Sequence, residues 1–569
     1  YTLTLTGDGF SSYTIDNNCR ISGRDAGNTT WRAMGSHGTV TGNTITRTGV
    51  TTLNNAWFDF AFASPCRINR NLTVSDPAIC SSVSTQVIVP NSQTNVTYQL
   101  RLDADNSNVG NAVNGTGGDI LLPDVPISPP SSTVYNVLAT DNISGCSHQL
   151  YDKANVTVYP CNIYSIASGN WNDPSIWSYT PGGPSCGLVP DAASNVFIQN
   201  GHAITLNTNA SIASLNIASG GSLQLSTYNV TVSGSTLVNG MLSDNSASGN
   251  NLFTGLLTVS NTGQLDFSLG NPAVELRGGL QNDGVFNSGT GTWNFTTNNQ
   301  IISGTQPVVF NGNAQIAAGI TLTNQNVAAG TGLTFKAAID GVNPTSILKN
   351  EGILTIEGSN APMWPGKLDA TTTAGNTVRY AAASPQTIRA KDYYHLQLLG
   401  SGAKTFNTNL HVYGDLTING ATLTFGSGSA YTLEVDGNLN ASAGNIDMDN
   451  GTLDHVLILK GQNNSCASLS ADDISRIEYR GTDNQQVFAS PNYQVLVLAG
   501  TGTKQLMGNV SVNDTLRVET FVQVKAYDLY VNNPAAEVVR TGGNVMGTLK
   551  RAVGIIGKDY NFPVGTATE

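Results

Sequence analysis

The chain has 569 residues and a formal net charge of −12, with only 11% of its residues charged. That is less than half the usual globular share; Gly, Asn, Ser and Thr stand in place of charge, which suits short strands and tight turns and suits helices poorly. No stretch offers the roughly 18 apolar residues a spanning helix needs, and no basic stripe marks a nucleic-acid binder.

The chain opens inside a strand pattern, Tyr1-Thr2-Leu3-Thr4-Leu5-Thr6, with neither initiator Met nor signal peptide. It reads as a mature product or a piece of something longer. Residues 1–68 alternate apolar and polar positions, as in Thr44-Ile45-Thr46 and Trp57-Phe58-Asp59-Phe60-Ala61-Phe62. This is the period-two pattern of half-buried strands and predicts a partial β-sandwich module. Residues 69–160 hold five strand candidates around Val87, Leu100, Leu121, Val137 and Val156, separated by turn residues. That spacing predicts an immunoglobulin-like domain, although the cysteine and tryptophan pattern of antibody domains is absent.

From residue 161 the character changes. Apolar triplets recur between Gly, Asn and Ser, as in Asn195-Val196-Phe197-Ile198, Ser214-Leu215-Asn216-Ile217 and Val230-Thr231-Val232. Each apolar face is too small to form a core alone, so stacked coils must share one. A longer repeat supports this. Gly400-Ser401-Gly402-Ala403-Lys404-Thr405-Phe406 returns as Gly500-Thr501-Gly502-Thr503-Lys504-Gln505-Leu506, and Val378-Arg379-Tyr380 resembles Ile477-Glu478-Tyr479. A fainter echo, Trp293-Asn294-Phe295 followed by Gln300-Ile301-Ile302, lies upstream. The prediction is an all-β chain with a right-handed parallel β-helix over 161–535, including an N-terminal cap. Residues 536–569 read as the start of a further β-sandwich module.

Seven cysteines stand at Cys19, Cys66, Cys80, Cys146, Cys161, Cys186 and Cys466, none in a C-x-x-C pair. A zinc ribbon or thioredoxin-type site is therefore not expected, and wide spacing suits disulfides in an oxidising compartment. Cys466 is the most isolated. Cys80 with Cys146 is the expected pair, because it ties the two ends of one small domain; the connectivity of Cys19, Cys66, Cys161 and Cys186 stays open.

Several stretches resemble the large surface proteins exported by the bacterial type IX secretion system, including gliding-motility-type adhesins. Ser168-Gly169-Asn170-Trp171-Asn172-Asp173-Pro174-Ser175-Ile176-Trp177, followed by Asn195-Val196-Phe197-Ile198, looks like the opening coil of a β-helix in this group. Tyr135-Asn136-Val137-Leu138-Ala139-Thr140 looks like its immunoglobulin-like repeats. Thr44-Ile45-Thr46-Arg47-Thr48-Gly49 and Phe562-Pro563-Val564-Gly565 resemble the end and start of a module beside such β-helices. The resemblance implies extracellular, cell-surface display in tandem arrays, although the sorting domain of such proteins is not visible in this stretch. Its module order suggests one period of a head-to-tail array of copies, in which Tyr1 and Glu569 would lie close together. Asp514-Thr515-Leu516 resembles the short O-glycosylation signal of the group.

Chemistry-bearing clusters are few. Parallel β-helices can carry polysaccharide lyases or hydrolases, which need paired carboxylates, or calcium with a basic residue, in a groove. Asp447, Asp449, Asp454 and His455 cluster, as do Asp472, Asp473 and Arg476; both read as solvated turns between coils. Asp103-Ala104-Asp105-Asn106-Ser107-Asn108 has oxygen ligands at alternate positions that could wrap calcium, but Asp and Asn favour hairpin turns without metal. Asp447-Met448-Asp449-Asn450-Gly451 is a weaker version. The histidines (His37, His148, His202, His395, His411, His455) form no close pair, and His411 reads as an ordinary strand residue. Trp171, Trp177 and Trp364 could stack on sugar rings; capping of the solenoid end is the preferred reading. No catalytic, cofactor-binding or metal-ligating residue is assigned. The expectation is a stiff structural or adhesive stalk, partnered by its own copies or by surface glycans. A β-helix polysaccharide lyase or hydrolase, or a carbohydrate-binding module, is the alternative.

Overall fold

The computed structural model describes residues 1–8, 19–25, 29–33, 35–51, 58–63, 66–80, 83–245, 249–328, 330–359, 361–389, 392–449, 452–472 and 474–566. Trp57, Asp473, the Asn450-Gly451 pair and Glu569 lie outside these residues. The closeness of Tyr1 and Glu569 expected of an array therefore lies outside them too. The fold is all-β; among the described residues, helix is confined to a 3-10 turn at Pro174–Ile176. Asp173 caps that turn, its carboxylate accepting the Ser175 N–H at 2.9 Å, and Pro174 occupies the first position, where a missing N–H costs nothing.

The chain divides into two compact units, Tyr1–Cys161 and Asn162–Glu569. In the first, Leu3–Thr6 pairs antiparallel with Thr44–Thr48, and Arg20–Asp25 with Phe58–Ala63, over a small core of Cys19, Ile21 and Ile45. Farther along, Val96–Leu102, Thr133–Asp141 and Ala154–Tyr159 lie side by side in one sheet, and Thr85–Val89 pairs with Ile120–Ile127 in another. Their inward residues meet in one core that includes Val87, Val89, Tyr98, Leu100, Leu122 and Val137. Alternation along Val96–Leu102 puts Val96, Tyr98 and Leu100 inside and leaves Thr97 and Gln99 half-exposed, the period-two signature visible in the sequence.

Two disulfides close this unit, Cys66–Cys146 and Cys80–Cys161. The expected Cys80–Cys146 bridge does not form. Ala78–Cys80 runs parallel to Ala154–Tyr159, with Tyr159 opposite Cys80, and this delivers Cys161 rather than Cys146 to Cys80. Cys146 sits instead in the turn after Thr133–Asp141, where the Asp141 carboxylate accepts the N–H of Arg67, the neighbour of Cys66.

The second unit is a parallel β-solenoid of about 17 turns. Ladders of short strands form its walls; one runs through eleven strands, from Trp177–Ser178 and Asn162–Ser165 to Lys367–Asp369. The typical strand is a triplet such as Val230–Val232 or Leu257–Val259, with its first and last residues buried. Their apolar sides merge into a continuous core from Ile163 to Val545, which is how faces too small to pack alone are removed from water. At roughly 1.5–3 kcal/mol per buried aliphatic or aromatic side chain, this shared core is the dominant stabilising term. Phe310 illustrates it: the ring packs on Trp293 and Phe335 of flanking coils, with centroids 5.1 and 5.4 Å away.

Several polar side chains inside the solenoid are matched along the ladder. The Asn324 side-chain amide donates to Asn350 Oδ1 at 2.7 Å, and the Asn350 side-chain amide donates to Asn376 Oδ1 at 3.0 Å. Where coils turn, glycine permits contact between backbones: a Cβ on Gly255 would lie 2.4 Å from the backbone of Gly234 in the coil before. The first edge is closed by a short antiparallel pairing of Trp177–Ser178 on Asn162–Ser165, which blunts an exposed strand edge.

Parallel pairing does not stop at residue 535. Glu537–Arg540 lies on Val510–Val518, Val545–Met546 on Val522–Gln523, and Leu549–Arg551 on Leu529–Val531. The strands of 536–569 thus continue the solenoid ladders instead of opening a separate module. Asn532-Asn533-Pro534, beside the expected boundary, makes a turn between strands.

Candidate functional site

The tryptophans separate by environment. Trp171 and Trp177 are buried, edge-to-face at 5.1 Å, and the Trp177 indole N–H donates to the Trp171 carbonyl at 2.8 Å. They cover the first coil of the core, so neither is free to stack on a sugar. Trp364 is 64% exposed, with the Arg389 guanidinium 4.7 Å from its ring centre. Arg389 also lines a cavity of about 380 Å³ together with Lys367, Asp369 and Asp392.

The acidic clusters are largely committed to turns. Asp447 accepts the N–H of Asp449 at 3.1 Å. Asp472 accepts two bonds within its own loop, from the N–H of Ser475 at 3.1 Å and from its hydroxyl at 2.5 Å. Arg476 pairs with Glu478. His455 is wholly buried, near Phe425 and Tyr431; its Nδ1 accepts the Tyr431 N–H at 3.1 Å while its Nε2 has no partner among the described residues. Burial pushes its pKa down, against the opposing pull of Asp472.

In the Asp103–Asn108 loop, Asp103 holds the Lys153 ammonium at 2.8 Å and accepts from the Asn136 amide at 3.2 Å. Asp105 accepts from both the N–H and hydroxyl of Ser107. The Asp103 oxygens are thus engaged by Lys153 and Asn136 and an Asp105 oxygen by the turn, and the lysine supplies a positive charge beside them. Thr515 of the Asp514-Thr515-Leu516 signal lies on the strand Val510–Val518, its hydroxyl donating to Asp514 at 3.0 Å.

Of the remaining histidines, His202 shares a 2.8 Å hydrogen bond with Ser165, and His395 accepts the Asp415 N–H at 2.9 Å. His411 is no ordinary strand residue. It stands on the outer face of Leu410–Val412 directly opposite Glu434 of the next coil, and its Nε2 lies 2.9 Å from Oδ2 of Asp436. Tyr413 packs against the imidazole with ring centres 4.0 Å apart. One coil farther, the Lys460 ammonium bridges Glu434 and Asp436, 2.8 Å from the latter. Asp436 is held below the ordinary carboxylate range: bonds from Lys460 and His411 outweigh its burial, the largest single influence, which acts the other way. The Lys460 pKa is raised by its bonds to Asp436 and Glu434. This group is invisible in sequence because His411, the Glu434–Asp436 pair and Lys460 come from three coils, 23 to 49 residues apart, and meet only through coil register.

Cys66–Cys146 and Cys80–Cys161 point to an oxidising, extracellular-type compartment. Cys466 is a thiol whose burial pushes its pKa up to about 11, leaving it unreactive near neutrality. No helix among the described residues is long and apolar enough to cross a membrane. These features define a class: a disulfide-bonded, all-β protein built on a parallel β-solenoid. Compared with known proteins, the chain matches no family model, no curated protein and no solved structure.

Proposed function

We propose that this chain is a structural and adhesive stalk of a bacterial surface protein, and not an enzyme. The observation that carries the reading is the unbroken core from Ile163 to Val545 beneath parallel ladders that succeed one another along it. In such a solenoid the backbone hydrogen bonds run along the axis, so bending or stretching must work against many at once. The disulfide-bonded unit, read as immunoglobulin-like, serves as a spacer. The likeness of the 168–177 and 195–198 stretches to type IX-exported surface proteins supports display at the cell surface.

Trp364 favours a second, compatible reading. An exposed indole beside a cavity lined by Lys367, Asp369, Arg389 and Asp392 combines a stacking face with polar groups, the combination that suits a glycan. Catalysis on polysaccharide has weaker support, since the Asp447 and Asp472 carboxylates serve turns and Arg476 is ion-paired with Glu478.

The test is to image the purified chain by electron microscopy and incubate it with a panel of neutral and acidic polysaccharides. Rigid particles and unchanged polysaccharide chain length are expected. Depolymerisation of any panel member, abolished by substitutions in the chain, would overturn the stalk reading in favour of an enzyme.

A further inference from the structure

The geometry points to a surface site for a divalent first-row metal ion, zinc by its chemistry, formed by His411, Glu434 and Asp436 on two consecutive coils. The His411 imidazole and one oxygen from each carboxylate lie within 4.8 Å of one another. His411 and Glu434 are register partners, and Asp436 follows the strand end, its N–H bonded to the Val412 carbonyl at 2.9 Å. Two strands in fixed register therefore present all three groups on one face, and small rotamer changes bring them to coordinating distance. Packing of Tyr413 on the imidazole holds the ring's orientation.

The donor set selects the ion. One imidazole nitrogen and two carboxylate oxygens suit zinc or a neighbouring first-row ion, while calcium prefers six to eight oxygens. Three protein ligands leave a position for water, and the side is open: Asp436 also lines a cavity of about 420 Å³ with Lys460, Arg480 and Asp483. With the imidazole neutral, the three ligands carry two negative charges. The Lys460 ammonium offsets one of them and sits where a bound cation would compete with it. Metal entry requires that this long, 40%-exposed side chain swing into solvent and that the His411–Asp436 hydrogen bond open. The bound ion would then join adjacent coils from outside, independently of the stalk reading.

The test is calorimetric titration of the full chain with Zn²⁺, paired with Co²⁺ absorption to report imidazole coordination. One zinc per chain is expected at this site. His411→Ala and Asp436→Asn should each weaken it by roughly 10-fold or more. Lys460→Gln, which removes the competing charge, should tighten it by about 3- to 10-fold. Circular dichroism identifies variants that remain folded. Zinc affinity unchanged in folded His411→Ala, or no zinc bound by either the wild type or Lys460→Gln, would overturn the proposal.

Discussion

The hydroxyls of Tyr479 and Tyr493 meet at 2.9 Å in the solenoid interior, and one repeat earlier those of Tyr380 and Tyr393 meet at 2.8 Å. The surroundings repeat as well. Gln386 accepts the Ala382 N–H and donates to the carbonyls of Ile356 and Gly358, while Lys404 donates to the Ala382 carbonyl. Gln485 accepts the Gly481 N–H and donates to Leu459 and Gly461, while Lys504 donates to Gly481. In each copy a glutamine and a lysine thus clamp both sides of one peptide position at a coil corner. Gln300, in the fainter upstream echo, also spans two carbonyls, those of Leu276 and Thr296.

Removing one hydroxyl of the second tyrosine pair leaves buried partners unmatched. Tyr493 donates to the Phe488 carbonyl at 2.9 Å, and the Phe488 N–H reaches Tyr479. Tyr493→Phe should cost about 1–3 kcal/mol, the usual penalty for a stranded buried polar group. The Tyr479→Phe/Tyr493→Phe double variant should lose less than the sum of its singles, because the two share a bond. Denaturant midpoints measure this, and strictly additive losses would show that the hydroxyls act independently.

How much of this was legible in sequence follows from the same residues. Triplets such as Val230-Thr231-Val232 reveal themselves as strands because alternation is local. The repeat is visible at Lys404 and Lys504 because their glycine-rich surroundings match. What could not be read is which residue lies on the coil above. Val378 pairs with Leu396, 18 residues later, but Leu322 pairs with Leu348, 26 residues later. With coil length this variable, neither the His411–Asp436 contact nor the tyrosine pairs can be aligned in advance. The disulfide pairing was hidden for a related reason: the parallel placement of Ala78–Cys80 beside Ala154–Tyr159 is a tertiary fact with no local signature.

Lys504 is fully buried with no carboxylate among the described residues bonded to its ammonium; burial lowers its pKa to about 8. The unfolded chain then holds this proton up to about pH 10.5, while the folded chain releases it near 8, so this group's contribution to stability rises with pH across that window. The effect is at most about 3 kcal/mol, since each tenfold difference in proton affinity between the two states is worth roughly 1.4 kcal/mol. Unfolding of the wild type and Lys504→Met, compared at about pH 7.5 and pH 10, should move relatively in favour of the wild type at the higher pH. A difference between them that is flat with pH would mean the lysine titrates normally.

His455 responds in the opposite part of the scale. Its folded pKa is depressed, so the unfolded chain takes up the proton first as pH falls through about 6.5, and stability drops from there downward. His455→Phe keeps a ring between Phe425 and Tyr431 but leaves the Tyr431 N–H without its acceptor. The variant should be less stable at about pH 7 yet lose less on going from there to about pH 5. Parallel acid losses in the two proteins would place the acid sensitivity elsewhere.

The two disulfides close loops with sequence separations of 80 and 81 residues, both inside Tyr1–Cys161. Cross-links over loops of this size restrict the unfolded chain strongly, and each is worth about 2–5 kcal/mol in a small domain. Replacing Cys80 and Cys161 together by Ser should therefore speed amide exchange in peptides from Val96–Leu102 and Thr133–Asp141, whose core the bridge helps close. Peptides from Leu257–Val259 and Leu496 to Leu498, buried in the solenoid's own core, should exchange as before. Equal acceleration in both sets would show that the bridge stabilises the chain as a whole and that the two units unfold as one.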